Sequence, residues 1–241
     1  MDVVPALSAV ARETFRLGSR ARSARFFHPR GEVLAGHLEI QGAGPLPTGR
    51  TECVVRMSKA IGLPARLPDI LGIAFRYPDA SGAVDVLLAT SPGTRGWRRW
   101  ALWPAASWGR ATFTSLLPWE SVDRTRVLVL AELADHRLTG VEVDQLASRL
   151  PVRIRLRVAS AAAELQRGEL VVTGPRQPTP DFDPVLNEPP GWHFVPAWLA
   201  RVRRSSYAGS RAGRPDTGGR EPDAPRGDAR PPPSDRGTRT A

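Results

Sequence analysis

The sequence predicts a mainly β protein with a few helices, folded as a closed antiparallel barrel of about eight strands. Two observations carry the prediction of a closed antiparallel barrel. Short runs of apolar and β-branched residues follow one another along the 241-residue chain, each bounded by Gly, Pro or Asp. No long helical pattern separates these runs, which favours a barrel over an α/β fold.

The elements can be assigned in chain order. Residues 5–17 have the apolar spacing of a helix, with Gly18 as a stop. The segment Ser91–Ser107 holds three tryptophans and predicts a helix or an irregular cap. The predicted strands are Val33–Ile40, Glu52–Met57, Ile70–Tyr77, Val84–Thr90, Ala111–Leu117, Arg126–Ala131, Val152–Val158 and Glu169–Thr173.

The last third of the chain contains the clearest strand and two further segments. Strict alternation of Val, Ile and Leu with Arg over Val152–Val158 indicates one buried and one wet face. The stretch Thr179–Trp198 is rich in Pro and aromatic residues, which predicts an extended strap across the barrel. A helix over Ala197–Ser206 would then carry Tyr207.

Three regions are expected along the chain. Residues 1–20 form an N-terminal helix, and residues 21–214 form the barrel domain together with a C-terminal helix. Residues 215–241 contain no aromatic residue and are rich in Pro, Gly and Arg, so they are expected to be disordered. Arginines and acidic residues balance in this tail, so the net charge of +10 lies in the preceding part.

Composition narrows the classes of function. The arginines are scattered and Lys59 is the only lysine, which favours a solvated basic surface or an anion pocket over nucleic-acid binding. Cys53 is alone, so neither an internal disulfide nor a cysteine-based metal site is expected. With no signal peptide and no apolar run of about 18 residues, a soluble cytoplasmic protein is expected.

Three separated segments of the chain contain recognisable motifs. The first is Arg25-Phe-Phe-His28-Pro-Arg-Gly31 with Gly36-His-Leu-Glu-Ile40. The second comprises Val55-Arg56-Met-Ser58, Asp69-Ile-Leu-Gly72-Ile-Ala74 and Asp85-Val-Leu-Leu-Ala-Thr90-Ser-Pro92. The third is Arg203-Arg-Ser-Ser-Tyr207-Ala-Gly-Ser-Arg211-Ala-Gly-Arg214. In order and internal spacing these segments resemble the haem-binding segments of the catalase family, including its short catalase-related peroxidases, over residues 20–92 and, less closely, over 197–214. The resemblance implies a catalase-like barrel.

This resemblance implies a haem b cofactor with the phenolate of Tyr207 as the iron ligand. Arg203, four residues earlier on the predicted helix, would favour the phenolate over the phenol. His28 would move a proton between the peroxide oxygens, and Ser58 would orient its imidazole. The implied cofactor-binding arginines are Arg25, Arg56, Arg203, Arg211 and Arg214; of these, Arg25, Arg56 and Arg214 match the positions that pair with the haem propionates.

One position departs from the family. The distal asparagine, which polarises bound peroxide, is replaced by Thr90, which has a shorter reach and one donor. Loss of such a donor commonly costs on the order of 100-fold in rate. The resemblance therefore implies a peroxidase or an organic hydroperoxide activity with weak catalase activity.

Other interpretations remain open at this stage. A catalase fold without haem would serve as a small-molecule-binding or scaffold module, with His28 structural, Tyr207 on the surface and the arginines solvated. A hydrolase such as a phosphodiesterase is disfavoured, because neither a His/Asp metal cluster nor a Gly-rich phosphate loop is present. The expected partner is a peroxide or hydroperoxide, without nucleic acid or a membrane span; the sequence leaves a homodimer open.

Overall fold

A computed structural model describes residues 30–64, 67–80, 82–180, 182–184 and 186–195. The predicted helices over 5–17 and 197–206 and the tail over 215–241 lie outside the described residues. The strands are β1 Arg30–Gly42, β2 Gly49–Lys59, β3 Leu71–Asp79, β4 Gly82–Ser91, β5 Thr112–Thr114, β6 Trp119–Ser121, β7 Arg126–Leu133, β8 Val152–Ala159, β9 Glu164–Arg176 and β10 Trp192–Phe194. A 3₁₀ helix spans Gly96–Trp100, and a short helix α1 spans Val143–Ala147.

Eight of these strands close into an antiparallel barrel. Their order is β7-β5-β4-β3-β2-β1-β9-β8, and β8 pairs back with β7. The predicted fold class is thereby confirmed, and each of the eight predicted strands coincides with one barrel strand. The two further strands, β6 and β10, extend from β7 as a small side sheet.

The barrel interior is a packed apolar core. Alternate residues of each strand point inward, as the strand period of two requires, and Leu38, Val55, Phe75, Val129 and Ile154 are all fully buried. On the barrel's outer side, the segment after β4 contains only the five-residue 3₁₀ helix and irregular chain, so the expectation of a helix or irregular cap holds.

A buried lysine fastens one end of the barrel. Lys59 ends β2 on the inward-facing side and is fully buried. Its Nζ donates to the carbonyl of Leu63 at 2.7 Å and to Glu142 Oε1 at 2.8 Å. The ammonium therefore joins β2 to the following loop and to the residue that precedes α1.

Replacement of Lys59 by Met is expected to lower the free energy of unfolding by about 2–4 kcal/mol, because Glu142 and a carbonyl lose their partner. Urea unfolding measures the change. The double variant Lys59→Met, Glu142→Leu is the control and should recover at least half of the loss, since a buried ion pair is replaceable by apolar groups. Equal unfolding of the single variant and the parent would contradict this role.

Candidate functional site

The outer side of strands β1 to β4 carries a patch of mostly small and apolar residues. The cross-strand register aligns them in two adjacent rows, because core residues such as Met57 and Ile73 occupy the alternate, inward positions. We call this patch the outer floor. Its first row is Gly31, Ser58, Gly72 and Ala89, and its second row is Val33, Arg56, Ala74 and Leu87.

The composition of the outer floor suits a planar ligand. Five of its eight members are Gly, Ala or Ser, so few long side chains project from the outer face of these four strands. Leu87 adds half-buried apolar surface, whereas Val33 is buried. Small-molecule and cofactor sites are lined mostly by apolar groups with a few polar ones, and the outer floor has this composition.

Arg56 is the cation of the outer floor. Its guanidinium lies over Gly31, where an added Cβ would come within 2.9 Å of Arg56 Nη2. The glycine of the first motif therefore leaves room for this side chain. Burial lowers the pKa of Arg56, yet a guanidinium keeps its charge in proteins. Arg56 can thus pair bidentately with a carboxylate placed at this edge of the floor.

Ser58 lies beside Arg56 on the same strand face. It is 3% exposed, and its Oγ lies 3.5 Å from the carbonyl oxygen of Gly72, which is a long hydrogen bond. The hydroxyl is therefore held at the surface of the floor. The histidine expected to contact it, His28, lies outside the described residues.

Thr90 points to the other side of the sheet. Ala89 faces outward, so the next residue faces the barrel interior, where Thr90 pairs with Phe113 and is 1% exposed. Its Oγ1 accepts a hydrogen bond from the backbone N–H of Leu71 at 3.2 Å. The structure therefore brings Arg56 and Ser58 together on the outer floor but not Thr90.

Two acidic residues in the family-like segments order the chain around the floor. Asp69 is fully buried and accepts hydrogen bonds from the backbone N–H groups of Ile61, Gly62 and Leu63 at 2.8–2.9 Å. This arrangement fixes the loop between β2 and β3. Asp69 belongs to the second family-like segment, and its role in the loop had not been predicted. The sequence signal for this role is a carboxylate directly before a predicted strand.

Asp85 joins the strap to the barrel. It is fully buried and receives Arg76 Nε and Nη2, the N–H of Asp183 and Asn187 Nδ2, each at 2.7 Å. Its own N–H donates to the carbonyl of Asn187 at 2.9 Å. The described part of the predicted strap therefore crosses the outer face of β3 and β4, next to the outer floor.

A cleft among the described residues lies away from the outer floor. It has a volume of about 460 Å³ and is formed by the connection between β7 and β8, with Arg137, Arg149 and Arg153 in its lining. Among the described residues, no three His, Cys, Asp or Glu side chains are grouped to hold a metal ion. No helix in the described ranges is long and apolar enough to cross a membrane.

Six site residues implied by the family resemblance fall outside the described ranges. They are the distal-side residues Arg25 and His28 and the proximal-side residues Arg203, Tyr207, Arg211 and Arg214. The described half of the site consists of the outer floor with Arg56 and Ser58. The composition of this half is compatible with a planar group that carries carboxylates, since small and apolar residues lie beside the guanidinium of Arg56.

Comparison with known proteins gives a structural likeness. No protein-family model matches the chain, and no curated protein matches it, whereas 62 chains of known structure do. One of them is a bacterial catalase, with a TM-score of 0.52 at 13% sequence identity. The match covers 81% of this chain and 59% of the catalase chain, so this chain spans little more than half of that protein. The likeness establishes a catalase-like barrel.

Proposed function

We propose that this chain binds haem b on the outer floor and uses it to reduce peroxides, with organic hydroperoxides as the preferred substrates and a small-molecule reductant as the source of the two electrons. The observation that carries the proposal is the outer floor, where Ser58 and Arg56 stand among Gly, Ala and apolar residues on the outside of a catalase-like barrel. Bound haem would supply the iron-centred redox chemistry.

The residues of this chain would divide the remaining tasks. Arg56 would pair with a propionate at the Gly31 edge of the outer floor, together with Arg25 and Arg214. Tyr207 would ligate the iron, and Arg203 and Arg211 belong to the same proximal segment. His28 would accept a proton from one peroxide oxygen and deliver it to the other, held in orientation by Ser58 Oγ.

The inward orientation of Thr90 supports the preference for hydroperoxides. Strand β4 presents Ala89 and Leu87 to the outer floor, and neither side chain can donate a hydrogen bond to a bound peroxide. Hydrogen peroxide dismutation should therefore be weak, because the donor that polarises the second oxygen is missing. An alkyl hydroperoxide gains apolar contact with Leu87 instead.

Titration of the purified full chain with haemin tests the proposal. One equivalent should give a saturable Soret band, and Tyr207→Phe should change its position and weaken binding by at least about tenfold, since an anionic ligand is lost. The chain offers a matched control, because Tyr77 is its only other tyrosine. Tyr77 is buried and donates to the carbonyl of Pro45 at 3.0 Å, so Tyr77→Phe should bind haem as the parent does.

Two results would overturn the haem proposal. One is the absence of a saturable Soret change, and the other is equal haem binding by the parent and Tyr207→Phe. The first result would favour the second candidate function, a haem-free small-molecule module that uses the same floor. The lack of a β4 donor on the floor is the observation that favours this candidate.

A further inference from the structure

The outer face of β8, on another side of the barrel, carries three arginines that differ in their cross-strand neighbours. Strict alternation places Arg153, Arg155 and Arg157 outward while the residues between them are buried. The register gives these arginines different neighbours. Arg155 lies between Glu132 of β7 and Glu169 of β9, whereas Arg157 lies between Leu130 and Arg167.

Carboxylates neutralise the positive charge at only one end of this row of arginines. Arg153 Nη1 donates to Glu169 Oε2 at 2.8 Å, and Arg155 Nη1 lies 4.0 Å from Glu132 Oε1. Within the described ranges, no carboxylate lies within 4.0 Å of Arg157 or Arg167. Two like charges directly opposite each other in a sheet are destabilising, so this pair is a place where an anion would be stabilised.

A small cleft adjoins Arg157. It has a volume of about 150 Å³ and is lined by the side chains of Thr94, Thr112, Arg155 and Arg157, with Leu130 and Glu132 beside them. A water molecule occupies about 30 Å³ of liquid, so the cleft holds a group several times larger. Among the described residues, no hydrogen bond engages the hydroxyl of Thr94 or Thr112.

We propose that this cleft binds the phosphate group of a small phosphorylated molecule, independently of the function assigned to the outer floor. Guanidinium groups form bidentate hydrogen bonds with phosphate oxygens, and hydroxyl groups donate to a further oxygen. The lining donors come from β8, from β5 and from the loop after β4, and a phosphate group offers them more acceptor oxygens than a carboxylate does. Glu132 remains paired with Arg155 at the rim.

Calorimetric titration of the full chain with inorganic phosphate, at fixed ionic strength, tests the proposal. Arg157→Gln should weaken binding at least about tenfold, as expected for loss of a charge-assisted bidentate contact. Thr112→Val should weaken it about threefold, because one neutral donor is lost. Arg149→Gln is the control: it removes an exposed arginine of the larger cleft that no described carboxylate pairs with, and phosphate binding should persist.

Thermal unfolding provides a second readout. Without phosphate, Arg157→Gln should melt about 1–3 °C above the parent, because the repulsion from Arg167 is removed. With phosphate, the parent should gain stability and the variant should not. Equal phosphate binding by the parent and Arg157→Gln, or no binding at all, overturns the proposal.

A third experiment distinguishes a specific phosphate site from a generally basic surface. Phenyl phosphate should compete with inorganic phosphate, whereas a duplex DNA of about 20 base pairs should bind weakly. Tight DNA binding with a steep salt dependence, weakened to the same degree by Arg149→Gln and Arg157→Gln, would also overturn the proposal.

Discussion

Replacement of Ala74 by Phe is expected to weaken haem binding by roughly 10- to 100-fold while the barrel stays folded. Ala74 lies in the second row of the outer floor, directly between Arg56 and Leu87, and its side chain points away from the core. A phenyl ring there would project from the outer floor into the space where the porphyrin would bind. Overpacking a close contact typically costs about 1–3 kcal/mol, which corresponds to this range of affinity.

The control for Ala74→Phe is Val54→Phe. Val54 faces the same side of the sheet one row beyond the outer floor, opposite Ala35 and Arg76. Haemin titration of both variants and the parent measures affinity, and urea unfolding checks that each barrel is intact. Unchanged haem affinity in Ala74→Phe would exclude the outer floor as the haem site. Haem would then bind elsewhere on the chain.

Replacement of Asp85 by Ala is expected to lower the free energy of unfolding by about 3–5 kcal/mol. The carboxylate is fully buried and accepts four hydrogen bonds, two of them from Arg76. Without it, the guanidinium of Arg76 loses its ion pair with Asp85, and the N–H of Asp183 and the amide of Asn187 lose this acceptor. Breaking a buried pair on one side has this order of cost.

Urea unfolding of Asp85→Ala measures the loss, and limited proteolysis tests its local consequence. Cleavage within residues 182–187 should become faster, because the strap loses its attachment to β4. Asp123→Ala serves as the control, since Asp123 is an exposed carboxylate in the turn between β6 and β7. A parent-like unfolding midpoint in Asp85→Ala would mean that other contacts hold the strap.

The barrel strands were predictable because each carries enough residues for its alternation to be visible. Over Val152–Val158 four apolar and three arginine positions define the inner and outer faces without ambiguity. The strands β6 and β10 contain three residues each, too few to show a period of two. The helix α1 spans five residues and lacks a side-chain cap, so the usual start signal is missing.

The candidate site was predictable as a set of residues but not as a geometry. Family-like motifs identified Arg56 and Ser58, and the alternation of β2 places both on the outer floor. The side taken by Thr90 depends on the pairing of β4 with β3 and β5, which no local pattern reveals. The same holds for Arg157 and Arg167, which lie ten positions apart in the chain and become neighbours only through the β8–β9 register.

The point at which the strap is attached limits the distance over which the phenol of Tyr207 would have to reach a haem iron. Val195, the last described residue, donates from its N–H to the carbonyl of Pro118 at 3.0 Å, so the chain leaves the barrel from a fixed point. Eleven residues lie between it and Tyr207, so the two α-carbons can be at most about 40 Å apart. Flexible linkers of about this length give a tethered ligand an effective concentration in the millimolar range. Coordination by this tyrosine would therefore be a unimolecular step that needs little intrinsic affinity.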